Sequence, residues 1–138
     1  GLVLFLLGHL CYVAAAAVHA PPHSFFAPAA GAVAALSAAI FAWLWPQLGA
    51  MRGPVLAYVI VITVMVSAAL AAGRRLSGPR AWLLPAGAVL FYLSDITVAY
   101  QRFVAPSLLM AALGLPAYYL AQLLLAWSVG ERGDAASA

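Results

Sequence analysis

Asp95 is the residue best placed to do chemistry. Only three acidic residues occur in the 138-residue chain, and the other two, Glu131 and Asp134, lie in a polar stretch at the C-terminus. Asp95 instead sits within the apolar run from Gly87 to Phe103. A charged Asp near a bilayer centre costs about 2.5–3.5 kcal/mol on insertion scales, so such a residue faces a cavity or a partner and is a functional candidate by default. The chemistry open to it is proton transfer, either toward a substrate or as one station of a relay. Its candidate partners within the apolar sequence are His9, Tyr12, Ser94, Arg102, Tyr118, Tyr119 and Gln122.

Spacing brings several of these into register. His9 lies about seven residues into the first apolar stretch, and Asp95 about six residues from the same side of the fourth, so both are roughly 10 Å deep. Equal depth permits contact. Tyr12 at i+3 and Phe5 at i−4 share the His9 face. Tyr118 and Gln122, at i and i+4, share a face of the fifth stretch, with Tyr119 about 100° round from Tyr118. Ser94 and Thr97 flank Asp95, and Arg102 follows two turns along on its face. Each has a plainer reading beside the functional one. His9 can be a satisfied packing residue, and Tyr118 and Tyr119 packing or lipid-facing aromatics. Gln122 can bridge two helices, and Arg102 can be an end-of-helix anchor reaching for headgroups. Ser37, Thr63 and Ser67 read as packing residues, and His19 and His23 as interfacial.

The elements that must position these groups are membrane helices. The chain is 67% hydrophobic and 7% charged, whereas a soluble domain carries charge on about a quarter of its residues. There is too little charge to coat a globule. Five apolar stretches, at about 2–18, 28–45, 54–72, 81–101 and 106–129, each approach the roughly 20 residues a crossing needs. Prolines at 21, 22 and 46 close the first two, Pro54 suits the first turn of the third, and Pro116 marks a kink in the fifth. The runs are continuously apolar rather than alternating, which disfavours a β-barrel. The expected fold is all-α: one polytopic transmembrane helix bundle over 1–129, with five spans and a polar tail over 130–138. Abundant Ala and Gly let such helices approach closely.

Charge and motifs exclude other classes. The net charge of +3 comes from six Arg and no Lys. No basic stripe with interleaved aromatics is present, so these charges report on topology and lipid headgroups rather than nucleic acid. Arg74, Arg75, Arg80 and Arg132 fall on one side of the bundle and Arg52 and Arg102 on the other, which predicts a cytoplasmic C-terminus. The Ala- and Arg-rich composition suits a bacterial inner membrane. Cys11 is alone within an apolar helix, with no metal-binding or disulfide spacing. There is no G-x-S-x-G elbow, HExxH, P-loop or Rossmann pattern, and a dinuclear metal site would need more carboxylates. No cofactor or metal is expected. The chain opens at Gly1 inside an apolar run, unlike a secretory signal peptide, and further residues are expected upstream.

Three stretches resemble the lysoplasmalogenase (YhhN-like) family of membrane proteins. Gly87-Ala88-Val89-Leu90-Phe91-Tyr92-Leu93-Ser94-Asp95, followed by Arg102-Phe103, is similar to the family's GA-x-x-F-x-x-SD signature. Phe5 through His9 to Tyr12 is similar to its F-x-x-x-H-x-x-Y helix. Tyr118-Tyr119-Leu120-Ala121-Gln122 is similar to its Y-Y-x-A-Q helix. The three occur in family order and together cover most of the chain. The resemblance implies about eight spanning helices, of which these are the C-terminal five. It also implies a second intramembrane aspartate, in a Gly-Asp motif one helix before the His-containing one and so upstream of Gly1.

The activity implied is hydrolysis of the vinyl ether bond of a lysoplasmalogen to a fatty aldehyde and a glycerophospho-alcohol. The substrate would be a lysophospholipid delivered by the surrounding membrane lipids. Such a bond is cleaved by protonation at carbon and attack of water on the oxocarbenium ion, which calls for a positioned acid and a base. A carboxyl group removed from water favours its protonated form, and a second carboxylate nearby divides the two roles. Asp95 would be one member of that pair. His9, Tyr12, Tyr118 and Gln122 would orient water or the glycerol hydroxyls, and Arg102 would meet the phosphate. A proton-coupled small transporter or channel subunit using Asp95 and His9 is the alternative from another class.

Overall fold

The computed structural model of the protein describes residues 2–18 and 28–130. These residues form five α-helices: α1 (Leu2–Ala17), α2 (Pro28–Leu48), α3 (Arg52–Gly73), α4 (Arg80–Phe103) and α5 (Leu108–Gly130). In lipid no water is at hand to satisfy backbone groups, so an apolar chain pairs them within helices. The segments Pro28–Gly73, Ala81–Phe103 and Leu108–Ser128 are each long and apolar enough to cross a membrane. Within the first, a 3₁₀ turn at Gly49–Met51 separates α2 from α3. The apolar part of α1, Leu6–Ala17, is shorter than these. Gly130, expected to open the polar tail, is the last residue of α5; the rest of the tail with Arg132, and His19 and His23, lie outside the described residues.

Three boundaries depart from expectation, each for a local reason. α2 runs through Pro46 to Leu48. A proline lacks one N–H but does not oblige the chain to stop, and the break comes at Gly49, whose φ of 50° suits glycine. α3 opens at Arg52, which leaves Pro54 in the first turn, where its missing N–H has no intrahelical partner to lose. α5 opens at Leu108 rather than Pro106, because the Ser107 hydroxyl caps it by accepting the Met110 N–H at 3.3 Å.

Contacts along the helices set their directions. Ser37 of α2 meets Thr63 of α3, while Leu44 and Leu48 pack on Val55, so these two helices are antiparallel. Tyr58 meets Asp95 at one end of the α3–α4 pair, and Gly73 approaches Ala81 and Pro85 at the other. Gly87 packs on Ala121 and Leu125, and Gly114 on Thr97, so α4 and α5 are antiparallel as well. α1 runs parallel to α3, with His9 beside Tyr58 and Ala16 against Ala68 and Ala72. The main core joins Ile62, Met65, Val66 and Ala69 of α3 to Ala88, Phe91 and Tyr92 of α4 and to Ala121 and Leu125 of α5. α3 and α4 therefore form the centre, and small residues set how closely their neighbours approach.

Gly73 tests the α3–α4 packing where neither neighbour can move aside. A Cβ there would lie 2.8 Å from the Ala81 carbonyl oxygen and 2.9 Å from Pro85 Cγ. Neither can swing away, one being backbone and the other a ring. Gly73→Ala is expected to destabilise the protein by about 1–3 kcal/mol. A melting temperature in detergent that stays level or rises would show that the α3–α4 contact is not this close.

Candidate active site

Asp95 is held from α4 against α1 and α3. Tyr58 of α3 donates its hydroxyl proton to Asp95 Oδ2 at 2.5 Å. His9 of α1 places Nε2 3.5 Å from the same oxygen and 3.3 Å from the Tyr58 hydroxyl. The His9 side chain is 2% exposed and that of Asp95 13%. Two aromatic edges fix the imidazole: Phe91, with ring centroids 4.9 Å apart, and Tyr58, at 5.2 Å. Asp95 Oδ1 receives no hydrogen bond from the described residues. One carboxylate oxygen is thus clamped by two groups, and the other is left for chemistry.

The partly exposed side of Asp95 faces a cavity of about 360 Å³ between α2, α3 and α4. Its wall is largely apolar, from Ile40, Leu44, Val55, Val59, Ile62, Ile96 and Ala99. Its polar lining is Ser37, Tyr58, Tyr92, Asp95 and Arg102. Burial in such a wall strengthens any electrostatic interaction inside it. Arg102 and Phe103 lie toward the end that carries the α2–α3 turn. At that end the Arg52 guanidinium sits 4.4 Å over the Trp45 ring, and Trp43 stacks on Tyr100 with centroids 6.2 Å apart. Amphipathic rings and arginines of this kind mark a membrane–water boundary. The cavity therefore reaches from that collar inward past Asp95 to Ser37 and Tyr92.

Of the candidates named from sequence, Asp95 and Arg102 line the cavity, and His9 stands directly behind Asp95. Tyr12 donates to Gln122 Oε1 at 2.9 Å, joining α1 to α5 away from the cavity lining. Tyr118 packs on Phe91, with centroids 5.5 Å apart, on that same side. Tyr119 touches Tyr118 but is 64% exposed on the outer face. Ser94 is buried, and its hydroxyl donates to the Phe91 carbonyl at 2.7 Å within its own helix. Tyr58 escaped the sequence reading. It lies six residues past the start of α3, on the side from which Asp95 was measured, so the depth argument that matched His9 to Asp95 would have found it. Ser37 and Thr63, read as packing, are bonded to each other at 2.8 Å, and Ser37 to Tyr92 at 2.9 Å. Among the described residues no group of three or more His, Cys, Asp or Glu side chains is placed to hold a metal ion.

Comparison with known proteins bears on this site. The chain is 38% identical over 112 residues to a protein of Mycobacterium tuberculosis (strain CDC 1551 / Oshkosh) named lysoplasmalogenase, covering 75% of this chain and 40% of that protein. It is 37% identical over 137 residues to the human protein named lysoplasmalogenase TMEM86A, covering 95% of this chain and 55% of the relative. The chain thus spans about half the length of the curated relatives it matches. No solved structure matches it. The model of the YhhN family covers residues 1–129, which takes in α1 to α4, all but the last residue of α5 and every residue of the site, and the chain belongs to that family of integral membrane proteins.

Proposed function

We propose that the intact protein hydrolyses the vinyl ether bond of lysoplasmalogens, with Asp95 as the proton-transferring carboxylate. The observation that carries this reading is the clamped Asp95 in an apolar cavity, with Arg102 on the same wall. Seven residues separate them, about 10 Å along the helix axis. About six covalent bonds of 1.4–1.5 Å separate the vinyl carbon from the phosphorus of a lysophospholipid, and an arginine side chain spans the remainder. The cavity axis supports a headgroup at the Arg102 end and the hydrocarbon chain toward the interior. The names of the relatives support the substrate class.

The chemistry follows from the geometry. A proton passes from the Asp95 carboxyl to the β-carbon of the vinyl ether, and the C=C electron pair forms the new C–H bond. The oxocarbenium ion is held by the carboxylate left behind, whose charge Tyr58 and His9 share. Water then adds to the carbon bearing the ether oxygen and returns a proton to Asp95. The hemiacetal breaks its original C–O bond, its hydroxyl proton passing to the glyceryl oxygen, to release aldehyde and glycerophospho-alcohol. A second carboxylate, which the family resemblance implies upstream, would take one of the two proton roles. Tyr12, Tyr118, Tyr119 and Gln122 support the α1–α5 side of the site rather than touching substrate.

The membrane arrangement completes this reading. Five crossings in alternating directions place Arg52 and Arg102 on one face and Arg74, Arg75 and Arg80 on the other. The larger count marks the cytoplasmic side and puts the C-terminus there, in a bacterial inner membrane. The test is aldehyde release in detergent from a 1-alkenyl lysophospholipid set beside its saturated alkyl ether. Release from the first alone is expected, and no release across choline and ethanolamine headgroups would remove the hydrolase. The His9–Asp95 contact also suits a proton relay in a small transporter. Substrate-driven proton uptake into vesicles without aldehyde would select that reading.

The placement of Arg102 gives a separate expectation. Arg102→Gln should raise KM about 10-fold, or about 1.4 kcal/mol, with kcat within about twofold, because a phosphate contact is made equally in ground and transition states. The effect should vanish on a 1-alkenylglycerol without phosphate. Arg52→Gln, which alters a side chain outside the cavity lining, should leave KM unchanged. Equal losses on both substrates would mean that Arg102 serves the fold.

A further inference from the structure

Between Asp95 and Arg102 the described residues give the cavity wall no hydrogen-bonding side chain. The other polar lining stands elsewhere. Tyr92 comes three residues before Asp95, so it lies one turn past it on the side away from Arg102, where it is bonded to Ser37 at 2.9 Å. Tyr58 is level with Asp95, donates to its Oδ2 and meets His9 with the same oxygen. Ala99 fills the interval. It follows Asp95 by four residues and precedes Arg102 by three, about 6 Å and about 4.5 Å along the axis of α4, and all three share one face. Val55 precedes Tyr58 by three residues on the antiparallel α3, so it is displaced toward Arg102 as Ala99 is. Leu44, Leu48 and Val55 form one buried cluster, and Ala99 and Phe103 pack against it. Leu44, Val55 and Ala99 also line the cavity, one from each of α2, α3 and α4, as an apolar ring at this level.

Ala99 has the smallest apolar side chain of the wall. Its neighbours in the ring have little freedom: Leu44 is 2% exposed and Val55 7%, and a packed core resists added volume. The ring therefore takes a small group above Ala99 and nothing larger. With the phosphate at Arg102 and the vinyl ether at Asp95, the middle carbon of the glycerol falls at this level, because it stands midway between the ether oxygen and the phosphorus. In a lysophospholipid that carbon carries a bare hydroxyl, and in a two-chain lipid it carries an ester.

We infer that Ala99 is the specificity-determining residue for the middle position of the glycerol, and that it selects by size alone. The inference rests on the hydrolase reading and adds to it how a one-chain substrate is told from a two-chain one. An acyl group on the middle carbon would have to displace Leu44 or Val55, so the two-chain lipid is refused. The hydroxyl is tolerated rather than recognised, since no side chain of the ring can donate to it or accept from it. The two modes of selection leave different signatures. An apolar pocket discriminates about 10–200-fold per methylene and does not require the hydroxyl, whereas a site that bonds a hydroxyl rejects the analogue lacking it by about 10⁴-fold or more.

The test gives the intact protein in detergent three 1-alkenyl phospholipids that differ only at the middle carbon, which carries hydroxyl, hydrogen or methoxy. The hydrogen compound should match the hydroxyl compound in kcat/KM within about threefold or exceed it, because an unpaired hydroxyl is costly in an apolar wall. The methoxy compound should fall about 30-fold below. Ala99→Gly makes room in the ring and should raise the methoxy-to-hydroxyl ratio of kcat/KM about 10-fold. Val55→Ala should raise it from the α3 side, and it carries the test if Ala99→Gly melts early. Each ratio is taken within one preparation, so a loss of folded protein does not move it. A loss above about threefold on the hydrogen compound would overturn selection by size. So would a methoxy compound within about threefold of the hydroxyl one, or a ratio within about twofold of the unaltered protein in both variants. Each of these results leaves the hydrolase standing. Absence of aldehyde from all three substrates would remove the hydrolase reading and this inference with it.

Discussion

Asp95→Asn is expected to lower aldehyde release from a 1-alkenyl lysophospholipid by about 10³-fold in kcat, the usual scale for a general acid–base group. The substitution keeps the shape of the side chain and can still accept the Tyr58 proton, so the cluster stays packed. What it loses is a transferable proton before carbon protonation and a negative charge after it. An amide gives up no proton at neutral pH, and it leaves the oxocarbenium ion without a counter-charge in a low-dielectric wall. KM should change little, because the headgroup and chain contacts are untouched. Stability should hold or rise, since an intramembrane carboxylate is costly to bury. The comparison is made by quantifying aldehyde under single-substrate turnover, with melting in the same detergent as a check on folding. Turnover within about threefold of the unaltered protein would take Asp95 out of the mechanism.

How far the sequence carried the site depended on which signal each residue gave. Asp95 was legible because a lone carboxylate in an apolar run has no cheap structural explanation. His9 was legible because helix rise converts residue number into depth, and the two matched; the contact is 3.5 Å. Tyr58 sits at the same depth, yet a tyrosine in a Val- and Ile-rich helix draws no attention without a partner to measure it against. Ser37 and Thr63 fared likewise: a hydroxyl in a membrane helix normally bonds its own backbone, as Ser67 does to the Thr63 carbonyl at 2.8 Å. Only the packing of α2 on α3 shows that they form a chain ending at Tyr92. Tyr118 and Tyr119 show how helix geometry divides neighbours: adjacent residues point about 100° apart, so Tyr118 packs on Phe91 while Tyr119 faces away from this core. The helices themselves were readable from hydropathy, and their ends were not. Pro46 looked like a stop, whereas the stop is Gly49, because a left-handed backbone breaks a helix that a missing N–H only weakens.

Tyr58→Phe tests whether the clamp on Asp95 is part of the chemistry. The hydroxyl is the group that reaches both Asp95 Oδ2, at 2.5 Å, and His9 Nε2, at 3.3 Å. Its removal leaves the carboxylate with His9 at 3.5 Å alone. The phenyl ring still fills the wall between Val55 and Ile62, so substrate binding and packing persist. The expected result is a kcat about 10²-fold lower with KM near its original value. That corresponds to about 2.7 kcal/mol, the scale of one lost charge-assisted hydrogen bond in a dry site. A second measurement separates a clamp from an independent catalytic group. Tyr58 acts through Asp95, so once Asp95 is Asn the hydroxyl has no developing charge to share. The double variant should therefore be no slower than Asp95→Asn within about threefold, rather than slower by the product of the two effects, as residues that work as a unit are strongly non-additive. Full multiplication of the two losses would mean that Tyr58 touches the substrate itself, and the proton would then have a second route into the cavity.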